Sequence, residues 1–185
     1  FDFSSNYKMQ EENSQKLIFI EIITNLFIQK KNGNFVIKIF DTFTIFSFKI
    51  LYFVTSFYKE SYIYKPFSSR PNNSERYLIL KGFEGIDYDY LFEILDNIYK
   101  PNISNIFPED VPPEFIKEIK KINTILAEKQ IQSLNKTNNL INSKKNLDLL
   151  DETIKLQTKK SIEWCKRYNI EINEKSVFYK NTLNK

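Results

Sequence analysis

Lys38 and Glu75 are the two residues whose types and surroundings could carry out chemistry. Lys38 lies within the apolar run 35–40, and Glu75 closes the polar loop that begins at residue 67. A lysine can take or stabilise the proton of a hydroxyl group only if its pKa falls, and apolar neighbours favour this because they disfavour the ammonium form. A carboxylate beside the lysine opposes that shift and fixes the amine in place. Glu75 is the natural candidate for this carboxylate, so the two residues form a candidate pair for proton chemistry.

The composition excludes several other kinds of chemistry. The 185 residues include no histidine and a single cysteine, Cys165. Catalysis by Ser-His-Asp or Cys-His sets is therefore excluded, as are an intrachain disulfide and a cysteine-based zinc site, and we expect no metal. The lone cysteine fits an intracellular location, which we expect to be the cytoplasm, with a viral replication site or the nucleus as alternatives. The abundance of Ile, Asn, Lys, Phe and Tyr is typical of an AT-rich genome, such as that of a large DNA virus or a low-GC protist.

The positive charge is concentrated in the half of the chain that contains both candidate residues. Residues 1–83 carry eleven positive and seven negative charges, an excess of +4, whereas residues 84–185 carry sixteen of each. An excess of this size is compatible with contact to a polyanion such as RNA and equally with an ordinary basic surface. The longest apolar runs are interrupted by charges and fall short of a membrane span, so no membrane partner is expected.

The hydrophobic pattern predicts an α/β arrangement for residues 1–83. We expect a helix over 9–30 that ends at Asn32-Gly33, a strand over 35–40 and a helix capped by Asp41 or Thr42 that runs to about 57. Short strands follow over 61–64 and 76–81, and Gly82 closes the last one. The run 35–40 is continuous enough to suit a strand buried on both faces of a largely parallel sheet.

The order of these elements predicts half of a doubly wound sheet. Two strands joined through a helix should run parallel, and the third returns after a short loop, antiparallel to its predecessor. The remainder reads as an all-helical extension, with helices over 88–99, 113–135 and 145–168 and with a linker at 101–111 and a loop at 135–145. We therefore expect two domains, residues 1–83 and residues 84–185.

This topology predicts that Lys38 and Glu75 meet. The active crevice of an open α/β sheet lies beyond the carboxyl ends of its strands, and Lys38 lies near the end of its strand. Glu75 precedes the returning strand, whose starting end can lie at the same edge. Two simpler interpretations remain open: Lys38 extends its amine to water, and Glu75 pairs on the surface with Arg70 or Arg76.

Three segments around these residues resemble FtsJ-like RNA 2′-O-methyltransferases, over residues 1–83. The first comprises Phe1-Asp2-Phe3-Ser4, Tyr7 and Gln10-Glu11, the second is Gly-Asn-Phe-Val-Ile-Lys-Ile-Phe-Asp at 33–41, and the third is Lys65-Pro66 with Ser-Arg-Pro-x-Asn-Ser-Glu-Arg-Tyr at 69–77. The second and third resemble the strand and the loop that carry the second lysine and the glutamate of the family's catalytic Lys-Asp-Lys-Glu set. Their details look closer to the eukaryotic and viral mRNA cap branch than to the bacterial ribosomal branch.

The resemblance implies a function and a role for each matching residue. It implies a Rossmann-like methyltransferase that uses S-adenosyl-L-methionine, by direct displacement at the methyl carbon, and acts on RNA, most closely the capped 5′ end of mRNA. Lys38 would contact the ribose 2′-hydroxyl and help to deprotonate it, and Glu75 would position Lys38. The residues implied to bind the substrate in the acceptor pocket are Lys65, Arg70, Asn73 and Ser74.

Other parts of the family's site have no counterpart here. The family's first lysine, its glycine-rich cofactor loop and its Asp-Gly-Gly turn would lie upstream of Phe1, so Asp2 does not correspond to the catalytic aspartate and no residue is assigned to the cofactor. We therefore expect residues 1–185 alone to have little or no methyltransferase activity. The alternatives are methylation of rRNA or tRNA, and a non-catalytic RNA-binding or scaffold subunit. The helical extension could serve as the surface for a protein partner.

Cations and aromatic residues alternate around the predicted loop and its strands. This composition could grip phosphate and stack a base, or it could consist of aromatic core residues with a solvated cationic rim. The residues concerned are Lys65, Arg70, Arg76, Lys81, Tyr64, Phe67 and Tyr77. In the extension, Trp164 with Arg167 and Tyr168 is expected to anchor helix packing, and stacking on a cap base is the less favoured alternative.

Overall fold

The computed structural model describes residues 9–96, 110–142 and 147–183, the side chains of 147–149 and 181–183 excepted. The elements follow in the order α1 Gln10–Ile28, β1 Phe35–Ile39, α2 Ile45–Thr55, β2 Tyr58–Tyr64, β3 Arg76–Phe83, α3 Tyr88–Asp96, α4 Pro113–Asn142, α5 Leu147–Arg167 and α6 Val177–Leu183. The chain is thus a mixed α/β protein. The resembling segment at residues 1–4 and 7 lies outside the described residues.

The three described strands form one antiparallel sheet in the order β1-β3-β2. Both outer strands pair antiparallel with β3, so β1 and β2 run in the same direction, as predicted. The antiparallel return of β3 is also confirmed. The expectation of a largely parallel sheet is wrong for the described strands, because β3 lies between β1 and β2 and pairs antiparallel with both.

Strand β1 has one buried and one exposed face. Ile37 and Ile39 are buried, whereas Val36 and Lys38 are exposed. The prediction of a strand buried on both faces is therefore wrong within the described residues. The buried face packs with α1 and α2 in one apolar core, whose members include Phe19, Ile22, Leu26, Phe46, Ile50, Val54, Leu78 and Leu80. Burial of these side chains fixes the register of the sheet, since a slip by one residue would expose them.

Two local predictions at helix and strand ends are corrected. Helix α2 begins after Thr44, whose hydroxyl accepts a hydrogen bond from the Ser47 amide at 3.2 Å. Thr44 is therefore the N-cap, and Asp41 and Thr42 bind other groups. Gly82 does not end β3, which continues to Phe83. Gly82 instead lies within the strand with a left-handed backbone conformation, φ +70°, which glycine adopts without steric strain.

The helical predictions agree with the structure except at their ends. Helix α4 continues to Asn142, so the predicted loop at 135–145 is wrong up to that residue. Helix α5 matches its predicted span closely, whereas α6 was not predicted. Most of the predicted linker, residues 101–109, lies outside the described part of the chain. None of the helices within the described ranges is long and apolar enough to cross a membrane.

The chain divides into two compact units. The first comprises residues 1–69 and 73–130, and the second comprises residues 70–72 and 131–185. The core of the first unit includes Leu91 and Ile94 of α3 and Ile119 of α4, so its packing extends past residue 83. In the second unit α5 packs with α6, and Trp164 contacts Tyr168 with ring centroids 5.2 Å apart. The division into domains 1–83 and 84–185 stays a prediction.

Candidate active site

Lys38 and Glu75 form an ion pair at the edge of the sheet. The β1 and β3 register places Lys38 opposite Tyr77, and Glu75 immediately precedes β3. Because the two strands are antiparallel, the carboxyl end of β1 and the amino end of β3 lie at the same edge. Lys38 Nζ is 3.2 Å from Glu75 Oε2, so the predicted meeting of the two side chains is confirmed.

The environment of Lys38 differs from the one that its sequence neighbours suggested. Its side chain is 50% exposed, because Ile37 and Ile39 point to the opposite, buried face of β1. The expected desolvation of the amine is therefore wrong in the described residues. Lys38 Nζ also lies 5.3 Å from the centroid of the Phe40 ring, within the range of a cation–π interaction. The amine is thus held between a carboxylate and an aromatic ring and remains accessible from solvent.

The Glu75 carboxylate is held in its ionised form. Burial raises its pKa, but hydrogen bonds from Tyr77 and Lys38 and the charges of Lys38 and Lys65 outweigh burial and lower the pKa below its ordinary value of 4.5. The Tyr77 hydroxyl donates to Glu75 Oε1 at 2.9 Å. The same hydrogen bond, together with burial and the charge of Glu75, raises the pKa of Tyr77. At neutral pH this carboxylate therefore accepts hydrogen bonds on both oxygens.

The loop before Glu75 is fastened by Lys65. Its Nζ donates to the backbone oxygens of Asn73 and Glu75, at 2.9 and 2.6 Å, and also to the Asn73 side chain. The Ser74 hydroxyl donates to Gln10 Oε1 at 2.6 Å, which ties the loop to α1. These contacts fix the backbone that presents Glu75. Arg70 belongs to the second compact unit. The substrate-binding roles of Lys65, Arg70, Asn73 and Ser74 stay predictions.

Arg76 is a buried residue. It does not take the surface position that a pair with Glu75 or a contact with phosphate would require. Its side chain is 3% exposed, and its Nη2 lies 2.6 Å from Asp41 Oδ1. Its Nη1 donates to Asn123 Oδ1 at 2.7 Å, and its Nε donates to the Ser74 carbonyl at 3.3 Å. Both a surface Glu75–Arg76 pair and a phosphate contact by Arg76 are therefore wrong.

Burial opposes both charges of the Arg76–Asp41 pair. It raises the pKa of Asp41, which Arg76 partly offsets, and it lowers the pKa of Arg76, which Asp41 partly offsets. Each charge is therefore sustained mainly by the other, and a pair of this kind contributes more to geometry than to stability. Asp41 was expected to cap the second helix, and Asn123 was not predicted to take part in the site. The signal for Asn123 is its place on the buried, apolar face of α4, four residues after Ile119.

The aromatic residues near this edge are not sheet core. Tyr64 and Phe67 are exposed, and Tyr77 is half-buried. Lys81 lies on the same sheet, with its Nζ 3.8 Å from Glu60 Oε2 and 5.1 Å from the centroid of the Tyr62 ring. The interpretation of these tyrosines as core residues is therefore wrong.

Comparison with known proteins shows which family residues 1–83 resemble. The sequence profile of the FtsJ-like methyltransferases matches residues 1–83, which include β1, the loop after β2 and β3. This part of the chain is similar to the FtsJ-like methyltransferase family. The matched FtsJ-like segment contains both Lys38 and Glu75, and the predicted resemblance is confirmed.

Individual relatives extend the similarity beyond the FtsJ-like segment. The chain is 35% identical over 150 residues to cap-specific mRNA (nucleoside-2′-O-)-methyltransferase 1A of Caenorhabditis briggsae, covering 74% of this chain and 17% of the relative. It is 37% identical over 131 residues to cap-specific mRNA (nucleoside-2′-O-)-methyltransferase 1 of Dictyostelium discoideum, covering 68% and 17%. It is 31% identical over 150 residues to the inactive cap-specific mRNA (nucleoside-2′-O-)-methyltransferase 1B of C. briggsae, covering 74% and 18%. The chain thus spans less than a fifth of these relatives.

The described residues of the FtsJ-like segment do not fit the methyl donor of the family, S-adenosylmethionine. A glycine-rich loop is the feature that would let the backbone approach such a cofactor closely. Gly33 lies in the turn before β1, where a Cβ would meet Gln29 and Lys30, and Gly82 lies against Lys59. A Cβ on Gly85 would meet nothing within 4 Å.

In the described ranges no group of three or more His, Cys, Asp or Glu residues is arranged to hold a metal ion.

Proposed function

We propose that this chain is part of an S-adenosylmethionine-dependent RNA ribose 2′-O-methyltransferase that acts on the mRNA cap. In this proposal residues 1–83 are the C-terminal part of a Rossmann-like methyltransferase domain, and residues 84–185 are its helical extension. The observation that carries the proposal is the accessible ion pair of Lys38 and Glu75, with 3.2 Å between Nζ and Oε2, inside the FtsJ-like segment.

The pair can prepare a ribose hydroxyl for transfer. A 2′-oxygen placed against Lys38 Nζ would be oriented by a hydrogen bond from the ammonium group. The positive charge would stabilise the negative charge that develops as the oxygen attacks the methyl carbon and the hydroxyl proton passes to solvent, which reaches this half-exposed site. Glu75 fixes the amine, and Tyr77 fixes Glu75 through its other carboxylate oxygen. The exposed half of the Lys38 side chain gives the substrate access to this group.

Two further catalytic residues belong to the proposal. By the family pattern, Lys38 and Glu75 complete a Lys-Asp-Lys-Glu set whose first lysine and aspartate, like the residues that bind the methyl donor, are expected before Phe1. The structure describes no residue that takes these roles. Residues 1–185 alone are accordingly expected to transfer little or no methyl, and robust transfer by this chain would overturn that expectation.

The cap as substrate is supported by the names of the relatives. Two of those compared are cap-specific mRNA (nucleoside-2′-O-)-methyltransferases, with 35% and 37% identity. The test gives the full-length protein matched capped and uncapped RNAs with the methyl donor and measures 2′-O-methylated nucleosides by mass spectrometry. Methylation confined to capped RNA is expected. Methyl transfer to uncapped rRNA or tRNA at the same rate as to capped RNA would favour the alternative substrate class.

A second candidate function is a non-catalytic RNA-binding or scaffold subunit. One relative, 31% identical over 150 residues, is named as inactive, so the fold also occurs without activity. Binding of capped RNA with no transfer in the assay above would favour this role. An intracellular location and a protein partner for the helical extension stay predictions.

A further inference from the structure

A buried group of polar residues lies next to the Lys38–Glu75 pair. Asp41 follows Lys38 by three residues at the end of β1, and Arg76 follows Glu75 directly at the start of β3. The 2.6 Å contact between Arg76 and Asp41 therefore joins the two chain segments that carry the pair. The Arg76 guanidinium is planar and can be held in one orientation only if its several N–H groups are bonded in different directions.

Asn123 of α4 supplies one of these directions. Its side chain is 4% exposed, and its Oδ1 accepts from Arg76 Nη1 at 2.7 Å and from the Thr42 hydroxyl at 3.0 Å. Its Nδ2 donates to the Thr42 carbonyl at 2.8 Å. The side-chain amide of Asn123 thus forms hydrogen bonds both with the segment after β1, through Thr42, and with the first residue of β3, Arg76. Asn123 also lies outside the residues that match the family profile.

We propose that Asn123 is a positioning residue that holds Arg76 and Thr42 and thereby sets the distance between Lys38 and Glu75. An apolar residue at this position would leave a buried guanidinium N–H and the Thr42 carbonyl without these partners. Arg76 would then keep Asp41 and the Ser74 carbonyl but lose the contact that joins it through Asn123 to Thr42, and the start of β3 would shift relative to β1. The expected effect on turnover rests on the proposed function, whereas the effect on the ion pair does not.

Three variants separate positioning from stability. Asn123→Leu keeps the branching at Cγ and removes all three hydrogen bonds. Asn123→Asp keeps the oxygen that faces Arg76 and the Thr42 hydroxyl, and serves as the conservative variant. Ile119→Ala removes a buried apolar side chain one turn earlier on α4, which takes part in none of these hydrogen bonds. It is the control for a general loss of stability.

Two measurements are made on each variant. The pKa of the Glu75 carboxyl is measured by ¹³C NMR in residues 1–185, with Glu75→Gln for assignment, and kcat and KM are measured in the full-length protein. For Asn123→Leu we expect the Glu75 pKa to rise towards 4.5 and kcat to fall about 10- to 100-fold with KM changed less than about threefold. Asn123→Asp, which keeps the acceptor for Arg76 but loses the donor to the Thr42 carbonyl, should recover part of kcat. Ile119→Ala should change neither the Glu75 pKa nor kcat.

The outcomes distinguish this inference from the proposed function. If Asn123→Leu leaves both the Glu75 pKa and kcat at parental values, or if Ile119→Ala changes them equally, the positioning role is wrong. If the parent transfers no methyl but Asn123→Leu still raises the Glu75 pKa, the proposed function fails and the positioning role is supported. Should Asn123→Leu not fold, Asn123→Ser, which is too short to span Arg76 and Thr42, is measured in the same way.

Discussion

The Tyr77 hydroxyl donates to Glu75 Oε1 at 2.9 Å, on the opposite carboxylate oxygen from the one that faces Lys38. The same three residue types recur on the neighbouring pair of strands. There the Tyr62 hydroxyl donates to Glu60 Oε2 at 2.7 Å, and Lys81 Nζ lies 3.8 Å from the same oxygen. Lys81, Glu60 and Tyr62, referred to here as the control group, are chemically matched to the candidate site and lie outside its loop.

Tyr77→Phe tests how the Glu75 carboxylate is held. Loss of the hydroxyl removes a hydrogen bond that stabilises the ionised form, so the Glu75 pKa should rise towards 4.5. In the full-length protein we expect kcat to fall several-fold, about 2- to 10-fold, because Lys38 keeps a partner that is less well oriented. The pKa is measured by ¹³C NMR titration of the Glu75 carboxyl.

Tyr62→Phe provides the matched comparison for this change. It removes a tyrosine-to-glutamate hydrogen bond of the same kind from the control group. The Glu75 pKa and kcat should both stay at their parental values. Equal changes in Tyr62→Phe and Tyr77→Phe would mean that the effect comes from the sheet as a whole.

Glu75→Gln should change how stability depends on pH. The folded-state pKa of Glu75 is lowered, so its ionised form stabilises the fold above its unfolded pKa of about 4.5, and this contribution is lost as pH falls through the folded pKa. Because the pair is partly exposed, we expect a loss of about 0.5–1 kcal/mol at pH 7 that disappears at low pH. Urea unfolding of the parent and the variant between about pH 3 and about pH 7 measures this difference in the free energy of unfolding. A difference that grows on acidification would contradict the assigned direction.

Arg76→Met should destabilise the chain strongly. It leaves the Asp41 carboxylate and the Asn123 amide without their buried partner, at a cost of about 3 kcal/mol. Adding Asp41→Leu removes the unpaired charge and should recover a large part of the loss. Lys81→Met, on the same strand but half-exposed, should cost less than about 0.5 kcal/mol. Urea unfolding that gives Arg76→Met and Lys81→Met the same stability would contradict the buried network.

Glu11 should stabilise the start of α2. Its Oε1 accepts from the amides of Phe43 and Thr44, at 2.8 Å each, and from the hydroxyls of Thr44 and Ser47. A carboxylate at this end also complements the helix dipole. Glu11→Ala should therefore cost about 1–3 kcal/mol in urea unfolding. Glu12→Ala, at the exposed neighbouring position, should cost less than about 0.5 kcal/mol, and equal losses would show that the cap contributes little.

Local patterns and general topology rules were sufficient to predict much of the site. The apolar period predicted α1, the short loop predicted the antiparallel return of β3, and the rule for strand ends predicted that Lys38 and Glu75 meet. Each depends on residues that are close in sequence or on a rule that holds for most α/β sheets. The distance of 3.2 Å between the two side chains follows from the register, which such rules do not give.

The remaining features depend on contacts between distant parts of the chain. An apolar run does not reveal which of its residues faces the core, so the exposure of Lys38 was mispredicted. Asn123 meets Arg76 across 47 residues, and no local pattern specifies that partner. The polar residues 135–142 were read as a loop, although a helix that is polar on all sides has the same composition.

Turnover of Lys38→Ala in the full-length protein, compared with Lys81→Ala from the control group, tests the central claim most directly. Both variants remove a half-exposed lysine that pairs with a glutamate on the same sheet. The account predicts that Lys38→Ala lowers kcat for methylation of capped RNA about 10²- to 10⁴-fold while RNA affinity and folding are retained. Lys81→Ala should stay within about threefold of the parent, a change worth less than 1 kcal/mol. Unchanged turnover in Lys38→Ala, in a protein that methylates capped RNA, would contradict the assignment of Lys38 to catalysis.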